Sequence, residues 1–326
     1  MSKIVFLYNP RLPDAEPFAH DLAGHLSPLG LDIPIVSVWE EAAAREMVSG
    51  AMFAVTLGGD GTVLRATRIV APLDVPVVGV NLGKLGFLTE MDRGEAARKL
   101  PEFVAEHFWV EERVMLSIEI ERQAHPAQGD WVAPRAAVEH LFAVNDIVAG
   151  RAGLARAVDI SIWIDGIFVS RYTADGVIVA TPTGSTAYSL AAGGPVLHPQ
   201  LENLLLTPIL PHLSNAYPLI CPPGASIQLE VCTGHQAGVT VDGQIDMPLY
   251  NGDMVKAFAA PQKARFLRAQ SPSYFYFSLA KRLRRDLRVD SCELAEGNCD
   301  NSRRNAAQVL AKAAGPSKGR ARSKSR

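Results

Sequence analysis

Asp60 stands in the middle of a glycine-rich run, Gly58-Gly59-Asp60-Gly61-Thr62. Glycines let a backbone approach a phosphate without Cβ clashes and reach positive φ where a tight turn needs it. A carboxylate in such a cradle repels phosphate, so it makes chemical sense as a metal partner or as a base for a hydroxyl. The run is neither a P-loop, which needs a Gly-Lys-Ser/Thr ending, nor a GxGxxG fingerprint. A plain Asp-Gly turn between strand and helix is the competing reading.

A longer constellation spans Asp175 to Pro199, DGVIVATPTGSTAYSLAAGGPVLHP. Val177–Ala180 reads as a buried strand. Pro182 to Thr186 form a turn rich in small hydroxyl residues, and Ala187–Ala192 reads as a helix stopped by Gly193-Gly194-Pro195. Such a strand, turn and helix start can aim free N–H groups at an anion, and the ring of Tyr188 could lie against a base. An ordinary strand–turn–helix remains the alternative. Asn145 and Asp146 interrupt the apolar run Leu141–Val148, where buried polar neighbours need partners. His198 and His212 flank prolines without a metal-like cluster and read as structural.

The elements around these residues change character along the chain. Ile4–Tyr8, Ile33–Val38, Ala51–Leu57 and Val75–Val80 read as strands, with helical patterns between them. The helix after the glycine run is expected over Val63–Val70. The resulting βαβαβαβ order argues for a parallel sheet, with ligands at the carboxyl ends of its strands. After about residue 112 the period becomes two: Leu116, Ile118 and Ile120; Val158 to Ile164; Ile227, Leu229 and Val231. Asp165-Gly166 and Asp242-Gly243 mark hairpins, and the second domain is expected to be an all-β sandwich.

The chain has 326 residues, enough for two cores, and a net charge of −2. Residues 301–326 hold eight Lys/Arg and no acid, leaving 24 basic against 34 acidic side chains before them, a net −10. An acidic body argues against specific nucleic-acid binding, and the basic tail reads as disordered. No apolar run is long enough to span a bilayer. The start does not read as a signal peptide, and four cysteines without zinc spacing fit a reducing cytoplasm.

Taken together, GGDGT at 58–62, Asn81-Leu-Gly-Lys-Leu-Gly-Phe-Leu-Thr89, Asn145-Asp146, the 175–195 segment and Val241-Asp-Gly-Gln-Ile245 resemble the NAD kinases, over about residues 1 to 280. GGDGT alone is shared with diacylglycerol kinases, sphingosine kinases and phosphofructokinases; the long segment is far more specific. The resemblance implies an α/β domain over 1–112 and a β-sandwich-like NAD-binding domain over 113–266. It also implies a returning segment over 267–290, with the tail 291–326 outside it.

The implied reaction moves the γ-phosphoryl group of ATP, or of polyphosphate, to the 2′-hydroxyl of NAD's adenosine ribose. Asp60 would be the proton acceptor, with Gly58, Gly59 and Thr62 around the donor's phosphates. Asp60, Gly61, Asn145, Asp146, Asp175, Thr186, Ala187, Tyr188, Ser189, Leu190 and Ala191 would hold NAD, with Arg156 and Gln244 as further contacts. Mg²⁺ would bind mainly through the donor's phosphates, without a protein cage. A homo-oligomer, dimer or tetramer, is expected. Thr173 stands where some bacterial members have Arg, which leaves NADH open as a substrate. A lipid kinase and a non-catalytic dinucleotide sensor are the rival readings.

Overall fold

The computed structural model describes residues 2–83, 86–123, 138–153, 156–211 and 216–283. His212, Cys292, Cys299 and the basic tail lie outside them, as do Lys84 and Leu85 of the Asn81–Thr89 loop.

Strand β1 (Ile4–Tyr8), helix α1 (Ala15–Leu26), β2 (Ile35–Ser37), α2 (Glu41–Val48), β3 (Phe53–Gly58), α3 (Asp60–Val70) and β4 (Val77–Asn81) follow in chain order. The four strands pair in parallel in the order β4-β3-β1-β2. Parallel strands covered on both faces are apolar on both. Accordingly Phe53, Val55 and Leu57 enter one core and Ala54 the opposite one. Gly58 is in register with Asn81, so the glycine-rich run and the Asn81 loop leave neighbouring strand ends side by side. Two-residue β5 (Met91–Asp92) and α4 (Arg93–Val104) complete this part. Asp92 caps α4 reciprocally with Glu95, satisfying otherwise orphan N–H groups.

The remaining strands are β6 (Trp109–Glu121), β7 (Val138–Ala143), β8 (Asp146–Arg151), β9 (Val158–Ile164), β10 (Ile167–Ala174) and β11 (Gly176–Ala180). After the single helical turn α5 (Tyr188–Ala191) come β12 (Leu204–Ile209), β13 (Leu219–Cys221), β14 (Ile227–Cys232), β15 (Ala237–Val241), β16 (Ile245–Leu249) and β17 (Met254–Arg268). A six-stranded sheet, β13-β12-β11-β8-β15-β16, faces the antiparallel part of the larger sheet. Ile160 and Ile162 from one sheet and Ile147 and Val239 from the other share one core. That is the expected sandwich. Both hairpins are as read: Asp165 and Gly166 at φ 52° and 77°, Asp242 and Gly243 at 50° and 63°, the positive-φ pairs that a two-residue turn demands.

β17 makes the two layers one body. It pairs antiparallel with β14 and β6, then places Phe266 parallel to Val77 of β4. The parallel and antiparallel strands therefore share an 11-stranded sheet, within one compact unit ending at Pro272. A second unit begins at Ser273, and its described part is helix α6 (Tyr274–Leu283).

Two expectations change. The helix after the glycine run begins at Asp60, not Val63, because Thr62 and Val63 already donate to the carbonyl of Gly59. The expected Ala187–Ala192 helix is only the turn Tyr188–Ala191, preceded by a 3₁₀ turn at Gly184–Thr186. Ser185 and Ala187 donate their N–H groups to Thr181 and Gly184, and Gly184 donates to the Thr181 hydroxyl. Those N–H groups are used within the turn and do not form an open anion cradle.

Candidate active site

Asp60 opens α3, and both its oxygens are engaged. Phe87 N–H donates to Oδ2 at 2.7 Å and Leu88 N–H to Oδ1 at 3.0 Å. The carboxylate is thus fixed in orientation while each oxygen keeps a second acceptor direction. Gly58 is required for a different reason. A Cβ there would overlap the Thr62 hydroxyl, which accepts from Asn9 Nδ2 at 3.2 Å.

The loop holding Asp60 is itself anchored by buried charge. Arg268 donates to the Leu88 carbonyl at 3.0 Å, to Glu90 at 3.2 Å and to Glu111 at 2.8 Å. Glu111 also accepts from Arg113 at 2.8 Å. Burial alone would raise the Glu111 carboxyl, but the two guanidiniums outweigh it and hold it below the ordinary carboxylate range. Burial, with the Arg268 charge second, pulls Arg113 down to about 10.

Asp242 stitches the other turns together. Its side chain accepts N–H groups from Val144 at 3.1 Å, Asn145 at 2.8 Å and Asp146 at 3.2 Å, and the Arg68 guanidinium at 2.6 Å. The backbone of Asn145 is gripped from the other side by Thr181 N–H at 2.8 Å. A Cβ on Gly184 would overlap the Asn145 carbonyl, so only glycine permits this close approach of the two turns. Asp146 is buried, and desolvation followed by the nearby Asp242 charge pushes its carboxyl up to about 7. Gln244 completes the link to α3, donating to the Gly61 carbonyl at 2.8 Å and accepting from Arg68 at 2.7 Å.

The expected dinucleotide contacts divide between locations. Asp175 and the exposed Tyr188 line a cavity of about 590 Å³ with Gly150, Arg151 and Ile209. Asp175 pairs there with Arg151 at 3.0 Å. Gly59, Gly61, Thr62 and Gln244 line a separate cavity of about 330 Å³. Arg156 faces a third, of about 290 Å³, beside Arg151 and His235. Ser189 is buried and its hydroxyl bonds Thr207 at 2.9 Å, while the Thr186 hydroxyl donates to Thr183. Ala187 and Leu190 are half-buried and Ala191 is exposed on the same turn.

Sequence reasoning read Asp242 only as a hairpin turn and Gly86 only as part of the Asn81–Thr89 motif, and it missed Arg68 and the Arg268 network. Arg68 left only a local signal, lying seven residues after Gly61 on one helix face; its link to Gly61 through Gln244 is made by the fold. Among the described residues no three His, Cys, Asp or Glu converge as a metal site, and no helix is long and apolar enough to cross a membrane.

A carboxylate fixed at a glycine-rich strand end, with turns of a second layer stitched to the helix it opens, is the arrangement of a nucleotide-handling phosphotransferase fold, and the comparisons with known proteins agree. Residues 14–108 match the ATP-NAD kinase N-terminal domain and residues 144–269 the ATP-NAD kinase C-terminal domain. The chain belongs to the NAD kinase family. It is 37% identical to the NAD kinase of Dehalococcoides mccartyi strain CBDB1 over 86% of this chain and 96% of that one. It is 40% identical to the Moorella thermoacetica NAD kinase over 72% of each. Among solved structures it resembles yeast NADH kinase complexed with NADH, with TM-score 0.72 and 25% identity over 91% of this chain and 90% of that one. It also resembles an Archaeoglobus fulgidus NAD kinase in complex with ATP, with TM-score 0.66 and 25% identity over 86% and 98%.

Proposed function

We infer that this protein phosphorylates NAD with ATP, and that Asp60 is the proton acceptor. The ribose 2′-oxygen attacks the γ-phosphorus, the bond from that phosphorus to the β,γ-bridging oxygen breaks, and ADP leaves. The hydroxyl proton passes to Asp60. In such a transfer a protein contributes mainly positioning and charge stabilisation. The observation that carries this assignment is the clamp of Phe87 and Leu88 N–H groups on both Asp60 oxygens, which aims a carboxylate from a loop whose glycines leave room for a phosphoryl group.

NAD would lie along Asn145, Asp146, Asp175 and the 186–191 turn, with Tyr188 against a ring. The Thr173 hydroxyl is already committed to Asp159, and with no Arg at that position NADH is a second acceptor to test. Mg²⁺ would arrive on the donor's phosphates, neutralising their charge. Exposed Ile167, Phe168 and Val169 on edge strand β10 favour a homo-oligomer; light scattering should then give the mass of a dimer or tetramer, and a monomer mass would reject this. Free thiols at Cys221 and Cys232 suit a cytoplasmic setting.

The decisive assay offers NAD and NADH, each with ATP and with polyphosphate, and identifies the product by ³¹P NMR. A new ribose 2′-phosphomonoester with stoichiometric ADP is expected from ATP. ADP release with diacylglycerol and none with NAD would reject the assignment in favour of a lipid kinase.

A further inference from the structure

The pairing of β6 with β17 gathers charge on one face of the large sheet. Phe266 is in register with Glu111, Ala264 with Arg113 and Arg268 with Trp109, so Glu111, Arg113, Phe266 and Arg268 lie on the same side. The Phe266 ring serves both guanidiniums, 5.0 Å from that of Arg113 and 5.1 Å from that of Arg268. Glu90 joins them from the loop after β4. All four charged side chains are at least nine-tenths buried.

Such a set is a poor source of stability. Desolvating each ion costs several kcal/mol, and well-packed apolar residues in place of a buried pair are often as stable or more so. Two of the buried donors, Arg268 Nη2 and Arg113 Nε, also find no acceptor among the described residues, which adds to the cost. What the set does is hold one peptide. Residues 86–90 lie outside helix and strand, and Leu88 is gripped at both ends. Its N–H donates to Asp60 Oδ1 at 3.0 Å, and its carbonyl accepts from Arg268 Nη1 at 3.0 Å. Glu90 ties the same loop to the end of β17, accepting from Arg268 at 3.2 Å, Ala269 N–H at 2.9 Å and Gln270 N–H at 3.1 Å. Burial lowers the Arg113 pKa most, and the Asp60 carboxylate is among the charges that oppose it, so the cluster and Asp60 lie within electrostatic reach.

We propose that Arg268 is a positioning residue for the phosphoryl transfer: through the Leu88 peptide it sets where the Asp60 carboxylate stands, without touching either substrate. The proposal rests on the kinase reading above, which gives Asp60 its role. Arg268 lines none of the three cavities around the site. Its planar fork is locked by Glu111 on Nε and by Glu90 on Nη1, so the bond to the Leu88 carbonyl has a fixed direction. The carboxylate from the start of α3 is thereby aimed by the last strand of the sheet.

The test uses the full chain and begins with Arg268→Lys. The ammonium keeps the charge, so neither glutamate loses its cation, but the fork is gone. We expect kcat to fall by roughly ten- to a hundredfold, with KM for NAD and for ATP within about twofold. The diagnostic measurement is a double-mutant cycle with Asp60→Asn. In the Asp60→Asn background Arg268→Lys should lower kcat by about twofold at most, because the group it positions no longer takes the proton. A general loosening of the structure would lower kcat equally in both backgrounds.

Amide hydrogen exchange gives a readout independent of turnover. Peptides spanning Phe87 and Leu88 should exchange about tenfold faster in Arg268→Lys, as their bonds to Asp60 open more often. Should Arg268→Lys fail to fold, Glu111→Gln keeps the side chain's shape and one acceptor, loosens the same fork and carries both readouts. A wild-type kcat in the variant, unchanged exchange at Phe87 and Leu88, or equal falls in the two Asp60 backgrounds each overturns the proposal while the kinase reading stands. If the wild type phosphorylates no dinucleotide, the kinase reading itself fails, and the role of Arg268 in the transfer fails with it.

Discussion

Gly86 lies against Asp60 so closely that a Cβ on the glycine would overlap all three atoms of the aspartate carboxyl group. The next two residues, Phe87 and Leu88, donate N–H groups to its two oxygens. Contact and hydrogen bonds impose one geometry: the loop can hold the carboxylate only if residue 86 has no side chain. Gly86→Ala must push Asp60 aside or lift the loop. We expect kcat to fall by about a hundredfold, the loss tied to small misplacements of catalytic groups, while NAD still binds. Steady-state kinetics beside NAD calorimetry check this, and wild-type kcat in the variant would refute the clamp.

Asp60→Asn should lower kcat by roughly 10²–10⁴ through loss of the proton acceptor, with NAD affinity within a few-fold. The change is not silent structurally. An amide has one acceptor oxygen, so the Phe87 or Leu88 N–H would face an NH₂, at a cost of about 1–3 kcal/mol. A lower Tm should accompany the kinetic loss. Normal turnover would reduce the glycine-rich turn to a phosphate cradle.

Asp146 makes stability fall as pH rises. Its folded carboxyl titrates near 7 because of burial and then the Asp242 charge, above the unfolded value of about 3.9. Between these values the native state holds a proton that the unfolded state has lost, so unfolding free energy declines from about pH 4 to 7. Asp146→Asn should flatten that part of a denaturant–pH series. If the carboxylate form accepts a ribose hydroxyl, NAD affinity of the wild type should also rise through about pH 7. An unchanged slope in the variant would place the titration elsewhere.

Asp242→Ala should be among the most damaging substitutions outside the core. It strips the acceptor from three backbone N–H groups and leaves Arg68, mostly buried, without its carboxylate. Breaking a buried pair costs about 3–5 kcal/mol, measurable as a lower urea midpoint. NAD binding should weaken with it, since the Asn145–Asp146 turn loses its clamp.

Tyr188→Ala should weaken NAD binding by about 1–3 kcal/mol if the ring stacks on a base. The ring is half-exposed over the cavity that Asp175 also lines. Tyr188→Phe should cost far less, because the face is kept. Equal losses in a calorimetric series would assign the contact to the hydroxyl.

Local signals in the sequence were sufficient for much of this architecture. Apolar runs such as Phe53–Gly58 between helical patterns define the parallel strands, because strands covered on both faces must be apolar on both. Alternation at Val158, Ile160 and Ile162 defines strands buried on one face. Asp60 at the end of β3, and the hairpins at Asp165 and Asp242, follow from glycine and turn chemistry, which act over a few residues.

Tertiary structure decided what depends on distant partners. Nothing local in Met254–Arg268 reveals that its first half pairs in the sandwich and its end joins β4, because strand pairing is set by register and burial across the sheet. Asp242 has the spacing of an ordinary Asp-Gly turn. Its acceptors reach Val144 to Asp146 and Arg68 only because the β15–β16 hairpin packs against both. Likewise the alanine-rich stretch after Thr186 reads as a helix, yet closes after one turn. The turn itself is tied down by the Ser189–Thr207 hydroxyl bond, and the left-handed Gly193, at φ 86°, ends it. Propensity is a weak prior once tertiary contacts compete with it. The sequence names the groups that can do chemistry, while the long-range contacts determine which of them meet.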